Sequence, residues 1–149
     1  MKMQRTLIII KPDALVLGVV GRIISMLEKN GLRIAGLKML RLNKRQARSF
    51  YRVHKGKPFY KPLVEFMTSN PCFVMVIEGK AAISRSRKLM GNTNPVEAGP
   101  GTIRKLYATD NRHNAIHGSD SPGNAVKEVN FFFKKKELHG WKKKIYRIK

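Results

Sequence analysis

The chain has 149 residues, of which 42% are hydrophobic and 27% charged, a balance typical of a single soluble globular domain. Its 31 Lys and Arg residues outnumber 9 Asp and Glu residues, and the resulting formal net charge of +22 would attract nucleotides, nucleic acid or acidic lipid. One cysteine excludes a disulfide within the chain, no Cys or His pair has the spacing of a structural zinc site, and no apolar run approaches the ~20 residues of a membrane span.

The positive charge is spread along the chain and is denser at the C-terminal end. Residues 134–149 hold eight Lys or Arg and one acid. Scattered lysine is more typical of a solvated surface than of a nucleic-acid-binding face, so nucleic acid is a possible but secondary partner. The apolar run near the start is interrupted by Lys11-Pro12-Asp13 too early for a signal peptide, and we expect a cytoplasmic protein that does not bind membranes.

The first ninety residues predict alternating strands and helices. The β-branched run Thr6–Ile10 favours a buried strand, and the apolar periodicity of 21–30 favours an amphipathic helix. Asn43 is a favoured residue for capping a helix. In chain order, strands are predicted at 6–10, 32–42 and 72–78, and helices at 21–30, 44–54, 59–68 and 81–90.

The remaining residues predict a long loop, a helix and a last strand. Residues 91 to about 115 are rich in Gly, Pro, Asn and Thr, and a loop of that length in a compact domain is usually functional. A helix is predicted from Pro122 through Glu128, and Val129–Phe133 predicts the fourth strand. Four strands separated by helices indicate an α/β sandwich.

One histidine stands in a stretch of small and polar residues, Asn114–Pro122. Ser121 is a favoured capping residue and Pro122 a favoured first helical residue, so a helix begins shortly after His117. The free N–H groups of a helix N-terminus suit phosphate, and imidazole can act as a nucleophile near neutral pH. By itself the stretch is equally compatible with a turn that happens to contain a histidine.

A phosphate site needs cations and hydroxyl groups that converge on one place. The candidates are Lys11 at a strand end, Arg87 late in a helix, and Thr93 and Arg104 in the long loop. The alternatives are ordinary: an isolated lysine at a strand end more often extends to solvent, and an isolated arginine is most often a solvated charge.

Three further side chains are candidates for the same site. Phe59 could stack on a base, although core packing would explain it equally well. Tyr51 is more often the polar edge of a helix than a ligand. Glu128 could return to His117 and fix its tautomer, whereas a solvent-exposed helical glutamate is the alternative.

Five short motifs follow one another in a single register over about residues 4–138. They are I-K-P-D-A at 10–14, an H-x-x-x-P-F-type segment at 54–59, G-x-T-N-P at 91–95, P-G-T-I-R at 100–104 and N-x-x-H-G-S-D-S at 114–121. Together they resemble the signature motifs of the nucleoside diphosphate kinase family, among which the histidine motif is highly specific.

The resemblance implies a fold and an activity. The fold would be a ferredoxin-like α/β (α+β) sandwich with a four-stranded antiparallel sheet covered by helices, in a domain of residues 1–138 followed by a basic C-terminal extension, 139–149. The activity would be transfer of the γ-phosphate of a nucleoside triphosphate, typically ATP, to a nucleoside diphosphate, in two steps through a phosphohistidine. Mg²⁺ would be held mainly by the nucleotide phosphates, and the protein would form a tetramer or a hexamer.

The resemblance also implies roles for individual residues. His117 would be the nucleophile, with Ser119 and Glu128 holding and orienting it. Phe59 would stack on the base. The residues matching the family's phosphate and ribose contacts are Lys11, Tyr51, Arg87, Thr93, Arg104 and Asn114, of which Lys11 and Tyr51 would also belong to the catalytic group.

Two positions depart from the family pattern, and one segment extends beyond it. Lys105-Leu106-Tyr107 stands where relatives have Gly or Ala followed by Asp-Phe, which removes an acidic contact of the loop. Asn111 occupies the position at which many relatives place an apolar side chain over the base. In the extension, Trp141, Ile145, Tyr146 and Ile148 favour partial packing over a purely disordered tail. The charge leaves open a second hypothesis, a nucleic-acid-binding protein on the same scaffold.

Overall fold

The computed structural model describes residues 3–141, which form one sheet with helices on both faces. The strands are β1 (Met3–Ile10), β2 (Arg33–Leu40), β3 (Cys72–Lys80) and β4 (Ile116–Gly118). The helices are α1 (Pro12–Val16), α2 (Val20–Lys29), α3 (Lys44–Phe50), α4 (Tyr60–Ser69), α5 (Ala82–Met90), α6 (Ile103–Tyr107) and α7 (Pro122–Phe132). Short 3-10 turns cover Arg52–His54 and Lys135–Glu137.

The described strands pair in the order β2-β3-β1-β4, and every pairing is antiparallel. This confirms the ferredoxin-like sandwich. Ile10, the last residue of β1, lies opposite Phe73 on one side and Ile116 on the other. The end of β1 and the beginnings of β3 and β4 therefore meet at one end of the sheet, where the candidate site lies.

Alternate residues of β1 supply two separate hydrophobic cores. Leu7 and Ile9 pack with residues of α3, α4 and α7, whereas Ile8 and Ile10 pack with residues of α1, α2 and α5. All four side chains are fully buried. A sheet covered on both faces requires apolar residues at consecutive positions, which explains the uninterrupted apolar run of this strand.

The strand predicted at Val129–Phe133 is wrong, because these residues continue α7 to Phe132. Val129 and Phe133 are buried and lie four residues apart, the spacing of one helix face, while Phe131 between them is 39% exposed. The fourth strand lies earlier, at Ile116–Gly118, and contains the histidine itself. High β-propensity in Val-Asn-Phe-Phe-Phe is overridden by the continuing helix and its buried face.

Other elements occur close to their predicted positions. Asn43 caps α3 and exchanges hydrogen bonds with Gln46, as a capping box. The helix predicted at 44–54 ends at Phe50 and is followed by the 3-10 turn. Two short helices, α1 and α6, were not predicted as separate elements; each has five residues.

The C-terminal arm, residues 138–141, lies along β2, an edge strand of the described sheet. The backbone N–H of His139 donates to the Ala35 carbonyl at 2.7 Å, and Nε1–H of Trp141 donates to the Ile34 carbonyl at 2.9 Å. Leu138 lies so close to Gly36 that a Cβ there would be 2.9 Å from its Cδ2.

The predicted packing of the extension is confirmed for Trp141. Ile145, Tyr146 and Ile148 lie outside the described residues. Within the part of the chain that the structure describes, no helix has both the length and the apolar character needed to cross a bilayer.

Candidate active site

A cleft of about 890 Å³ opens at the end of the sheet where β1 ends and β4 begins. Every site residue predicted from the sequence lines this cleft except Ser119. Ser119 lies behind the lining and donates a hydrogen bond to Glu128, which does line the cleft. Those lining it are Lys11, Tyr51, Phe59, Arg87, Thr93, Arg104, Asn114, His117 and Glu128. Residues more than a hundred positions apart in sequence are thus brought into one cavity.

His117 is held at the cleft by its backbone and by one ring nitrogen. It pairs with Ile9 in the sheet, and Nε2 lies 2.9 Å from Oε2 of Glu128. The same carboxylate oxygen accepts a hydrogen bond from the Ser119 hydroxyl at 2.6 Å. A carboxylate only accepts, so Nε2 carries a proton, and in the neutral imidazole the lone pair is then on Nδ1. Among the described residues, Nδ1 has no hydrogen-bond partner.

Phe50 supports the ring from the side. Its centroid lies 5.5 Å from that of His117 in an edge-on arrangement. The ring is therefore fixed by an aromatic contact as well as by Glu128, and its orientation is set before any ligand arrives.

Lys11 is buried at the end of β1 and is only 6% exposed. Its ammonium group donates to Oδ1 of Asn114 at 2.7 Å. Burial, followed by the nearby positive charge of Arg104, lowers the pKa of Lys11 to about 8. The side chain therefore points into the protein interior at the cleft, and the solvent-directed alternative is wrong.

Arg104 is a second buried cation, 7% exposed. Its guanidinium donates to the carbonyls of Gly91 and Ile116 at 3.1 and 2.9 Å. Burial and then the charge of Arg87 lower the pKa of Arg104 to about 10. Positive charges held close together and partly removed from water repel each other, and a bound anion would offset that repulsion. The cluster therefore indicates a site that binds a negatively charged ligand.

Arg87 and Thr93 add two further polar side chains to the lining of the cleft. Arg87 lies in the last turn of α5, and Thr93 lies in the loop that follows. Both side chains belong to exposed residues, so they reach a ligand from the cleft mouth.

Two aromatic residues line the other side of the cleft. Tyr51 is 6% exposed, and its hydroxyl is buried without a hydrogen-bond partner within residues 3–141. Burial raises the pKa of this phenol, so it stays a neutral donor. Phe59 is 44% exposed and precedes α4 at the cleft mouth, so it is not a core residue.

The loop before His117 is fixed by side chains as well as by backbone. Ala115 has a φ of 67°, a conformation that a non-glycine residue rarely adopts. Its N–H donates to Oδ2 of Asp13, and the Asn114 amide donates to the Asn111 carbonyl. Burial raises the pKa of Asp13. Strain of this kind persists only where the surroundings enforce it, and it is concentrated at functional sites.

Sequence reasoning missed four residues that shape the site. Asp13 anchors the loop, Phe50 packs on the histidine ring, and His54 lines the cleft beside Phe59. Asp110 also lines the cleft and lies 2.8 Å from Nδ1 of His113. Asp13 and His54 stand inside the quoted motifs, which could have identified them; the other two have no sequence signal beyond their residue type.

The donor set argues against a metal site made by protein ligands alone. Within residues 3–141, no group of three or more His, Cys, Asp or Glu residues could hold a metal ion. Of the three carboxylates that line the cleft, Glu128 is engaged by His117, Asp110 by His113, and Asp120 by the Asn124 amide. The cavity therefore suits a cation that arrives with phosphate oxygens.

In this sandwich, an imidazole nitrogen without a partner among the described residues lies in a cleft lined by clustered cations, an arrangement suited to phosphoryl transfer. The sequence model of the family described as nucleoside diphosphate kinase matches residues 4–138. The chain therefore belongs to the nucleoside diphosphate kinase family.

Individual relatives agree with this assignment. The chain is 57% identical over 136 residues to a nucleoside diphosphate kinase of Campylobacter concisus, covering 91% of this chain and 99% of that protein. It is similar to the crystal structure of the Aquifex aeolicus enzyme, with a TM-score of 0.90, 44% identity, and coverage of 92% and 99% of the two chains. It is also similar to a Halobacterium salinarum nucleoside diphosphate kinase in complex with CDP, with a TM-score of 0.92, 42% identity and 95% coverage of each chain.

Proposed function

We propose that this enzyme transfers the γ-phosphate of a nucleoside triphosphate to a nucleoside diphosphate through a phosphohistidine at His117. The observation that carries the proposal is the hydrogen-bonded set of His117, Glu128 and Ser119, which leaves Nδ1 free at a cleft that also contains Lys11 and Arg104. The nucleic-acid-binding alternative is not favoured as the main function, because family membership and the cleft both indicate the kinase.

The transfer occurs in two balanced steps. The Nδ1 lone pair attacks the γ-phosphorus, the N–P bond forms, and the bond to the oxygen bridging the β- and γ-phosphates breaks. The nucleoside diphosphate leaves with those electrons, while the Nε2 proton remains directed at Glu128. A terminal oxygen of a second nucleoside diphosphate then attacks the phosphorus, the O–P bond forms, and the N–P bond breaks with its electrons returning to Nδ1. The new triphosphate leaves, and the histidine is regenerated. Two easier displacements replace one difficult transfer.

The cations and donors of the cleft bind the phosphates. Arg87, Arg104 and Lys11 stabilise the charge that spreads over the transferring group. The Tyr51 hydroxyl is a buried donor without a partner among the described residues, on a side chain that lines the cleft, and we expect it to donate to the reacting group. Lys11, together with this hydroxyl, therefore acts with the histidine in catalysis.

Thr93 and Asn114 provide phosphate and ribose contacts, and Phe59 stacks on the base. A base that is only stacked is weakly discriminated, so broad specificity is expected. Asn111, on the cleft wall, replaces the apolar side chain of many relatives and weakens this stacking.

A labelling experiment tests the nucleophile. Incubation with γ-labelled ATP should place acid-labile, alkali-stable phosphate on the protein, and His117→Ala should remove it. His139→Ala is the matched control, because His139 lies on the C-terminal arm and should label normally. An unlabelled wild type, or a His117→Ala variant that labels as well as the wild type, would disprove the proposal.

We also propose Mg²⁺ as the metal cofactor, bound through nucleotide phosphates. Mg²⁺ would neutralise phosphate charge in the cleft, where the exposed Asp120, which accepts from Asn124 through Oδ1 alone, could hold water ligands of the ion. Chelation with EDTA should abolish turnover, and the Mg²⁺ needed to restore it should follow the nucleotide concentration. Stoichiometric Mg²⁺ retained by nucleotide-free protein would contradict this.

We also propose a homo-oligomer, a cytoplasmic location and a chain divided into a domain and an extension. A homo-oligomer is supported by two exposed apolar residues of the edge strand β2, Leu37 and Met39, and sedimentation velocity would distinguish a tetramer from a hexamer. A cytoplasmic location is compatible with the single buried Cys72 and can be tested by fractionation. The division into a domain of 1–138 and an extension of 139–149 can be tested by limited proteolysis.

A further inference from the structure

The segment 41–61, here called the basic hairpin, contains eight Lys or Arg and no Asp or Glu. It runs from the end of β2 through α3 and the 3-10 turn into the first turn of α4. One of its cations, Arg41, donates to the carbonyls of Thr68 and Ser69. The other seven are all exposed: Lys44, Arg45, Arg48, Arg52, Lys55, Lys57 and Lys61.

Among residues 3–141, no carboxylate forms an ion pair with any of these seven charges. The remaining residues, 1–2 and 142–149, contain no Asp or Glu, so they supply no side-chain carboxylate. In small soluble domains surface charges of both signs are usually interspersed, and an uncompensated group of this size produces a strong local positive potential.

The basic hairpin forms one lip of the cleft. Its inner residues Tyr51, His54 and Phe59 line the cavity, while the seven cations face solvent around them. Deeper in the same cavity lie Lys11 and Arg104. Positive charge therefore continues from the outer surface of the lip to the phosphate-binding interior, and field lines between low-dielectric walls are focused along such a path.

We propose that the basic hairpin is an electrostatic capture surface that steers the phosphate chain of free nucleoside di- and triphosphates into the cleft. This inference rests on the proposed function, because the ligand is the substrate of that reaction. The hairpin cations act before chemistry: they raise the rate at which nucleotides reach the cleft and do not contact the transferring phosphate. They are therefore expected to affect kcat/KM and to leave kcat unchanged.

The test compares two triple variants that remove the same number of charges. Arg48→Gln/Arg52→Gln/Lys55→Gln removes three exposed hairpin cations that do not line the cleft. Arg22→Gln/Lys29→Gln/Lys80→Gln removes three exposed cations elsewhere, two on α2 and one at the end of β3 opposite the cleft. Both variants have the same net charge, so a difference between them reports the position of the charge.

The expected result is a salt-dependent loss in the hairpin variant only. At roughly 0.01 M salt, where the Debye length is about 30 Å, its kcat/KM should fall about tenfold, with kcat unchanged. At roughly 1 M salt, where screening acts within about 3 Å, its kcat/KM should equal that of the wild type. The control variant should resemble the wild type at both salt concentrations.

Each contrary outcome has a distinct meaning. Wild-type protein without kinase activity would overturn the proposed function, and the inference with it. Active variants with equal salt dependence would overturn the inference alone. If a single-stranded oligonucleotide inhibits the wild type but not the hairpin variant at physiological salt, the surface binds a polymer and the assignment to free nucleotides is wrong.

Discussion

Glu128 determines which nitrogen of His117 is available for reaction. One of its oxygens accepts from both the His117 ring and the Ser119 hydroxyl, at 2.9 and 2.6 Å. The carboxylate therefore fixes the ring orientation and favours the tautomer protonated at Nε2. In the proposed reaction, positive charge would develop on the ring as phosphate bonds to Nδ1, and the carboxylate would stabilise it.

Replacement of Glu128 with Gln should slow phosphorylation of His117 about 10- to 100-fold, as is usual when a partner that orients a reactive imidazole is removed. Size is preserved, but the amide can present its N–H₂ to Nε2 and favour the wrong tautomer. Single-turnover labelling with ATP measures this step. Lys127→Gln, at the exposed neighbouring position, should have no effect, and equal rates for both variants would refute the role of Glu128.

Lys11 couples phosphate binding to pH, because burial lowers its pKa from 10.5 to about 8. Between these values the unfolded chain holds a proton that the native chain has released, so the Lys11 contribution to the free energy of unfolding rises with pH across this window. The charged form is disfavoured in the empty cleft. A bound polyphosphate favours it and raises the pKa again.

The kcat/KM for nucleotides should therefore fall above pH about 8, while kcat at saturating nucleotide should begin to fall only at higher pH. The first profile reports the free enzyme and the second reports the complex. Lys11→Arg should shift the limb of kcat/KM to higher pH, because a guanidinium remains charged there. If kcat/KM of this variant still falls near pH 8, the titrating group is not Lys11.

Much of the site could be predicted because its chemistry lies in short motifs. Lys11 follows a buried strand and His117 precedes a capped helix, and both features are local in sequence. The burial that lowers the pKa of Lys11, and the contact of Phe50 with the histidine ring, arise only when distant segments pack together. No pattern within one segment contains that information.

The helix α7 connects the hydrophobic core to His117, the proposed nucleophile. Ser121 caps it by accepting from the Asn124 N–H, and Val129 anchors it in the core. Glu128 precedes that anchor and faces the cleft. The position of the Glu128 carboxylate therefore depends on how α7 packs against the core. A shift of the helix would move the carboxylate away from His117.

Val129→Ala should lower the free energy of unfolding by about 2 kcal/mol, since two buried methyl groups are lost and a cavity remains. Val126→Ala on the same helix, where the side chain is 63% exposed, should change it by less than about 0.5 kcal/mol. Urea denaturation of both variants measures the difference. Equal losses of stability in the two variants would be inconsistent with a buried Val129 and an exposed Val126 on α7.

The same helix shows where prediction from sequence stops. The first three strands are flanked by turn residues and have strong apolar runs, so they were predicted within a few residues. β4 has only three residues and owes its existence to pairing with β1, whereas Val129–Phe133 resembles a strand by composition. The sequence of one segment does not reveal its partner strand. Pairing with β1 is what makes Ile116–Gly118, and not Val129–Phe133, the fourth strand.

The C-terminal arm stabilises the end of the sheet opposite the cleft. It contacts β2 at Ile34 and Ala35, near the start of that strand, whereas the cleft lies beyond the end of β1. An uncovered strand edge is a template for unwanted pairing with other chains. The arm occupies part of that edge, so it should affect stability and association without affecting catalysis.

Truncation after Leu138 should lower the free energy of unfolding by roughly 1–2 kcal/mol, since two hydrogen bonds and the contact of Trp141 with the strand are lost. The kcat per folded molecule should not change. Thermal unfolding and steady-state kinetics on the truncated chain test both statements. Trp141→Phe, which removes the hydrogen bond to Ile34 and leaves a smaller ring beside Arg33, should give a smaller loss than the truncation. A large fall in kcat for either variant would show that the arm also affects catalysis.

The arm also carries an intrinsic fluorescence probe. Trp141 is the sole tryptophan of the chain, its indole N–H is bonded to a sheet carbonyl, and it is 48% exposed. Its fluorescence should therefore shift when the arm detaches and stay constant when nucleotide enters the distant cleft. Release of the arm could thus be followed independently of catalysis, without an added label.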